Sequence, residues 1–178
     1  MRVEYSILRY TPDIYIGEAI NVGIAYHNLE TDQRDFKIIS NYKRLWAFDD
    51  ELDPEFTTQS IEGFANDWVM GNLFSRYHSL REYTRFFVNE FYFSEIKIED
   101  VGDYKEFIVK SSKFFFRKSL PKSERLSKKQ RIDFLESFLN KKIFSFRKKE
   151  KLIWKYKDGY TFEYYIINNG NPVGIKYI

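Results

Sequence analysis

Val3-Glu4-Tyr5-Ser6-Ile7-Leu8-Arg9-Tyr10, then Thr11-Pro12-Asp13, then Ile20-Asn21-Val22-Gly23-Ile24-Ala25-Tyr26: two runs of alternating character with turn residues between them open the chain. In the first, Val3, Tyr5 and Ile7 alternate with Glu4 and Ser6, the two-residue period of a strand with one face inward. In the second, Ile20, Val22, Ile24 and Tyr26 share one face, and Ala19, Asn21, Gly23 and Ala25 share the other. The two runs predict an antiparallel pair. The small-residue face admits close approach by another backbone or a ligand. Beyond it, Asn28 to Gln33 reads as a polar turn into a third strand, Phe36-Lys37-Ile38-Ile39.

The period then changes from two to 3.6. Ile61, Phe64, Ala65, Trp68, Val69 and Phe74 form one helical stripe. Ser79 with Glu82 makes the Ser-x-x-Glu capping box, which predicts a second helix with Leu80, Tyr83, Phe87, Val88 and Phe91 inward. Asp103 and Glu106 begin a third, ahead of Phe107, Ile108, Phe114 and Phe115. A fourth follows Ser127, with Ile132, Leu135, Phe138 and Leu139 inward and Lys141-Lys142 complementing its C-terminal dipole.

Turn chemistry sets the expected register of the last third. A three-residue Lys157-Asp158-Gly159 loop places Tyr156 opposite Tyr160, Trp154 opposite Phe162 and Leu152 opposite Tyr164. A two-residue Asn169-Gly170 turn places Ile166 opposite Val173, Tyr164 opposite Ile175 and Phe162 opposite Tyr177. Pro172 suits an edge strand. The fold class is therefore α+β: an N-terminal antiparallel sheet, a helical middle of three to four helices and a C-terminal antiparallel meander. It reads as one domain over 1–178, and Leu120-Pro121-Lys122-Ser123 is the best point for a subdivision into 1–120 and 121–178.

Composition bounds the function. With 178 residues, 43% apolar and 20% aromatic, the chain can bury a core. It has no cysteine, which excludes disulfides, thiolate catalysis and cysteine-based zinc sites, and its two histidines, His27 and His78, are far apart in sequence. No apolar run reaches the roughly 18 residues of a membrane span. Met1-Arg2-Val3-Glu4 is not a signal-peptide lead. The expectation is a cytoplasmic protein without membrane association, and the AT-rich-looking use of Phe, Tyr, Lys, Ile and Asn points to a low-GC bacterium or its phage. Gly-rich phosphate loops, Gly-x-Ser-x-Gly and His-Glu-x-x-His are all missing. The acid run from Asp49 to Glu55 lacks the spacing and glycine of a calcium loop and reads as solvated acids before a helix. His78 reads as a surface histidine. Glu163 and Lys176, opposite each other in the expected register, read as a cross-strand ion pair rather than a nuclease site. No catalytic residue, metal or cofactor is expected.

Charge is segregated along the chain. Residues 1–109 carry 20 acidic and 11 basic side chains, and residues 110–157 carry 4 and 17. The basic stretch contains Phe114-Phe115-Phe116-Arg117-Lys118 and Phe144-Ser145-Phe146-Arg147-Lys148-Lys149, followed by Lys151. Rings interleaved with cations stack bases and neutralise phosphates, so nucleic acid is one partner for this surface. An acidic protein surface, or the chain's own acidic half, is the other.

Tyr5-Ser6-Ile7-Leu8-Arg9-Tyr10-Thr11-Pro12-Asp13, followed by Gly17-Glu18-Ala19-Ile20-Asn21-Val22-Gly23-Ile24, resembles the bacterial domain-of-unknown-function family numbered 3037. The likeness is strongest over about the first 26 residues and does not extend to the C-terminal third. Members are often encoded beside HipA-like kinases in toxin–antitoxin or defence-like gene pairs. The missing catalytic devices and the two charged, aromatic-rich surfaces favour a non-enzymatic interaction protein, an accessory or antitoxin-like subunit, and the resemblance suggests a HipA-like kinase or a defence or phage protein as its partner. The alternatives are a nucleic-acid-binding protein using residues 110–157 and a phage-encoded inhibitor of a bacterial defence system. The matched residues frame a hairpin in which Arg9 and Glu18 can pair across the strand ends. Either they only fix that hairpin, or Arg9, Glu18 and Asn21 line a small pocket or partner surface beside the Gly23 face.

Overall fold

The alternating runs at the start do form a hairpin. Strand β1 (Arg2–Tyr10) pairs antiparallel with β2 (Ile20–Asn28), with Tyr5 opposite Tyr26 and Leu8 opposite Gly23. The register then slips, so that Arg9 faces Asn21 and Val22 is the extra residue of a bulge. Strand β3 (Arg34–Ile38) lies on the far side of β2, beginning two residues earlier than Phe36. The computed structural model describes residues 1–71, 77–85, 87, 90–142, 147–153, 159–168 and 171–175. It divides into two units, Met1–Leu126 and Ser127–Ile178.

In the first unit, α1 (Lys43–Phe48) and α2 (Pro54–Met70) follow the hairpin. Asp53, from the acid run, caps α2 by accepting from the Phe56 amide, and Pro54 takes the first turn, where no donor is needed. Ser79 caps α3 (Leu80–Thr84) by accepting from the Glu82 amide. Glu82 reaches back to the His78 amide at 2.8 Å rather than to that of Ser79. The helix expected to run on to Phe91 stops at Thr84, and Phe91 instead opens a strand. The middle of the chain is therefore not wholly helical: β4 (Phe91–Phe93) and β5 (Lys97–Asp100) return to the first sheet. Both pair with β1, β4 along Leu8–Tyr10 and β5 along Arg2–Tyr5. Ser94 fills the step between them: its amide donates to the Ile7 carbonyl at 2.8 Å, and its hydroxyl accepts from the Ile7 amide at 3.0 Å. The hydroxyl of the fully buried Ser6 donates to the Ser94 carbonyl at 2.5 Å. Last in this unit is α4 (Tyr104–Phe115), capped by Asp103, which accepts from the Glu106 amide.

Helices cover both faces of the sheet, which is why β2 is buried along nearly its whole length. On one face Tyr5 and Tyr26 pack on Phe107 of α4, with ring centroids 5.6 and 6.1 Å away. Tyr26 shares a 2.8 Å hydrogen bond with Ser111, so its buried hydroxyl is satisfied. On the other face Ala25, Trp68, Leu80 and Tyr83 form the core, flanked by Phe36, Phe87 and Phe93. Trp68 donates its indole N–H to the Tyr26 carbonyl at 3.0 Å. Ile61 and Trp68 of the predicted α2 stripe are buried, whereas Val69 is exposed and Phe74 lies outside the described residues.

In the second unit, Ser127 opens α5 (Lys128–Lys142) with a reciprocal pair of bonds to Gln130. Strands β6 (Arg147–Ile153), β7 (Gly159–Asn168) and β8 (Asn171–Ile175) then form an antiparallel meander. The β7–β8 register is the expected one, with Tyr164 opposite Ile175 and Ile166 opposite Val173. Tyr177 and Lys176, and with them the Glu163–Lys176 pair, lie outside the described residues. The β6–β7 register differs: Leu152 faces Tyr160 and not Tyr164, and Glu150 faces Phe162. Gly159, expected in the loop, faces Ile153 as the first residue of β7, while Trp154 and Tyr156, expected opposite Phe162 and Tyr160, lie outside the described residues. Among the described residues no helix is long and apolar enough to cross a membrane.

Candidate functional site

The loop between β1 and β2 projects three apolar side chains into solvent. Asp13 organises it: its carboxylate accepts from the amides of Tyr15 at 2.7 Å and Ile16 at 3.2 Å, and its carbonyl accepts from the Gly17 amide at 3.1 Å. Gly17 closes the turn at φ 75°, a left-handed conformation that glycine adopts without a Cβ clash. On this turn Ile14 is 65% exposed, Tyr15 fully exposed and Ile16 71% exposed. Apolar residues scattered singly on a surface are ordinary, but three consecutive ones on an ordered turn form a patch. Pro12 and Asp13 signal a turn here in the sequence, but the outward direction of the triplet is not legible from it.

The four residues singled out in the hairpin have separate surroundings. A Cβ on Gly23 would sit 2.5 Å from Phe36 Cε1 and 3.3 Å from Leu8 Cβ, so the small-residue face is filled by the Phe36 ring. Asn21 donates its side-chain amide to the Phe115 carbonyl at 3.2 Å, satisfying an end group of α4. Arg9 lies over the Tyr92 ring, 6.0 Å from its centroid, and among the described residues no ion pair joins it to Glu18. Glu18 contributes its backbone carbonyl, which accepts from the Thr11 hydroxyl, and its side chain is exposed. Past the bulge at Val22, Arg9 pairs with Asn21 and Tyr10 with Ile20, at the end of the sheet that carries the loop.

The basic residues divide between the two units. Arg117 and Lys118 follow α4 in the first, where Phe116 is buried and the Phe115 ring packs 6.0 Å from Tyr5, so these rings belong to the core rather than to a stacking platform. Arg147, Lys148, Lys149 and Lys151 lie on β6 of the second unit. Phe144 and Phe146 lie outside the described residues.

A second cluster surrounds a pocket of about 230 Å³ lined by Asp32, Arg34, Tyr77 and His78. His27, buried on β2, donates from Nε2 to Asp32 Oδ1 at 2.8 Å. That bond holds the Asp32 carboxyl below the usual range, with Arg34 assisting. Arg34 has a 6% exposed side chain. Its Nη1 donates to the Tyr77 carbonyl at 2.7 Å, its Nη2 lies 3.4 Å from Asp32 Oδ1, and its guanidinium covers Trp68 at 4.7 Å. Asp32 adopts φ 55°, alone among the described non-glycine residues in having a positive φ. The cluster thus clamps the β2–β3 turn onto α2. Nδ1 of His27 is buried, 4.0 Å from Glu4 Oε2, and has no hydrogen-bond partner among the described residues. Through Nε2, His27 positions the Asp32 carboxylate. His78 is exposed at the rim. Among the described residues no group of three or more side chains of metal-ligating type converges.

No curated protein and no solved structure matches the chain. Residues 5–88, just under half of the chain, match the family described as "Protein of unknown function (DUF3037)", and they include the loop, its two framing strands and the His27–Asp32–Arg34 clamp. Over this segment the chain is similar to the DUF3037 family.

Proposed function

We propose that the protein is a non-enzymatic interaction subunit that docks on another protein through the Ile14–Ile16 tip. The observation that carries this reading is an ordered turn, fixed by Asp13 and Gly17, that holds three adjacent apolar side chains in water. Exposing them costs hydration free energy that a partner recovers, roughly 25 cal/mol for each Å² of apolar surface it covers. Because the turn is preformed, little loop ordering is left to offset that gain. The clamp at Asp32 and the filled Gly23 face support the same reading, since both commit polar and small residues to rigidity. An accessory or antitoxin-like role in a cytoplasmic toxin–antitoxin or defence module, with a HipA-like kinase or phage protein as partner, is the form of partnership that the family likeness suggests.

The test is co-purification of tagged full-length protein from its native cells, comparing wild type with Tyr15→Asp/Ile16→Asp. Both substitutions fall on exposed side chains and should leave circular dichroism unchanged. Partners recovered with the wild type should be lost from the variant. Undiminished recovery of the same partners would sink the proposal.

A further inference from the structure

We infer that the surface receiving the Ile14–Ile16 tip is an apolar groove on a protein, rimmed by lysine or arginine. This rests on the docking reading above and adds the chemistry of the partner. The tip is convex, so its complement is concave. The charge follows from what surrounds its base. Thr11 donates its amide to the Glu90 carbonyl at 2.7 Å and its hydroxyl to the Glu18 carbonyl, which fixes two acidic residues beside the loop. Asp49, at the end of α1, accepts from the Tyr10 hydroxyl, and Asp13 lies within the turn itself. Burial first, then the Asp49 hydrogen bond and the charges of Asp49 and Glu90, push the Tyr10 hydroxyl pKa up and keep it protonated. Three segments of the chain therefore bring four carboxylates to one end of the sheet. Tyr10 to Asn21 contains no lysine or arginine, and Arg9 is turned onto the Tyr92 ring.

An apolar patch with this surround discriminates among occupants. Phosphate-bearing surfaces, whether anionic lipid or nucleic acid, are repelled. A second copy docking tip to tip would bring like charges together. A groove with a cationic rim instead covers the three side chains and attracts the carboxylates, which speeds encounter and rejects acidic competitors.

The experiment replaces Tyr15 with photoreactive p-benzoylphenylalanine in the full chain, irradiates native cells, and sequences the crosslinked material by mass spectrometry. The expected product is a protein peptide combining apolar residues with lysine or arginine. Its yield should fall about tenfold when Glu18→Lys is added, since like charges then face each other across the rim. Glu18 is suited to reversal because the turn uses only its backbone. A crosslinked peptide without basic residues, or a yield indifferent to Glu18→Lys, overturns the inferred chemistry and leaves protein docking standing. Crosslinks to lipid or nucleic acid, or no crosslink at all, overturn the docking reading itself.

Discussion

Gly17 and Gly23 stand six positions apart in one motif and are required for opposite reasons. Gly17 has open space where a Cβ would go but a backbone at φ 75°, whereas Gly23 has ordinary strand geometry and no room. Gly17→Ala should cost about 1 kcal/mol of conformational strain, and Gly23→Ala about 1–3 kcal/mol of overpacking against Phe36. Phe36→Leu withdraws the atoms that a new Cβ would meet. The Gly23→Ala penalty should therefore shrink in a Phe36→Leu background, and the Gly17→Ala penalty should not. Urea midpoints of the single and double variants and their parents decide this, and equal penalties in both backgrounds would refute the packing account. Asp32 makes a prediction of a different kind. Its folded carboxyl is held low, first by the His27 hydrogen bond and then by Arg34. A depressed carboxyl contributes stability above its unfolded pKa, about 3.9, and loses that contribution as pH falls through the folded value. Asp32→Asn keeps a residue tolerant of positive φ while removing the charge. Denaturation curves should show wild type more stable than Asp32→Asn at pH 6, with the gap closing below roughly pH 4. A gap that stays constant from pH 6 to pH 3 would contradict the assignment.

Which elements were legible from sequence depended on how local their cause is. Ser79, Asp103 and Ser127 were readable as helix starts because each cap bonds an amide three residues away, and all three do so in the structure. The β1–β2 pair was readable because its alternation and its turn lie within one short stretch. Strands β4 and β5 were not: they are three and four residues long, and their pairing partner β1 lies more than eighty residues back. Phe91 fitted the helical stripe of α3 by spacing, and only the bonds to β1 make it a strand residue. The β6–β7 register shows a different limit. Leu152 was expected opposite Tyr164 and is found opposite Tyr160, a slip of four residues. Even slips leave every side chain on its original face, so a two-residue hydrophobic pattern cannot distinguish them. For β7–β8 the short Asn169-Gly170 connection removed that freedom, and the expected pairs match. The candidate site was the least legible part. Its motif residues were visible, but Ile14 to Ile16 carry no periodic signal, and the clamp draws His27, Asp32, Arg34 and Tyr77 from strand, turn, strand and loop.

At the scale of the whole molecule, the basic stretch of the sequence crosses the division between the two units. Residues 127–178 carry 12 Lys/Arg against 5 Asp/Glu, while the remaining cations of the stretch, Arg117 and Lys118 among them, fall in the otherwise acidic first unit. Any polyanion-binding surface in the second unit therefore depends mainly on α5 and β6. On β6, Arg147, Lys149 and Lys151 occupy alternate positions, and Lys148 shares the other parity with Leu152. Neutralising Arg147, Lys149 and Lys151 together thus removes one row, whereas Lys148→Gln leaves that row intact. If nucleic acid binds along it, the triple variant should lower the salt slope by roughly 0.9 for each phosphate it no longer neutralises on duplex DNA, and Lys148→Gln should do far less. We expect the other outcome, with wild type and both variants retaining generic DNA and RNA only near background at physiological salt. Phe115 and Phe116, the stacking rings closest to the first-unit cations, are committed to the core, and the exposed Ile14–Ile16 tip has Asp13, Glu18, Asp49 and Glu90 at its base. A gel shift at low and physiological salt distinguishes the two. Tight retention at physiological salt that the triple variant abolishes and Lys148→Gln spares would establish a nucleic-acid row on β6 and give the protein a second partner class beside the tip.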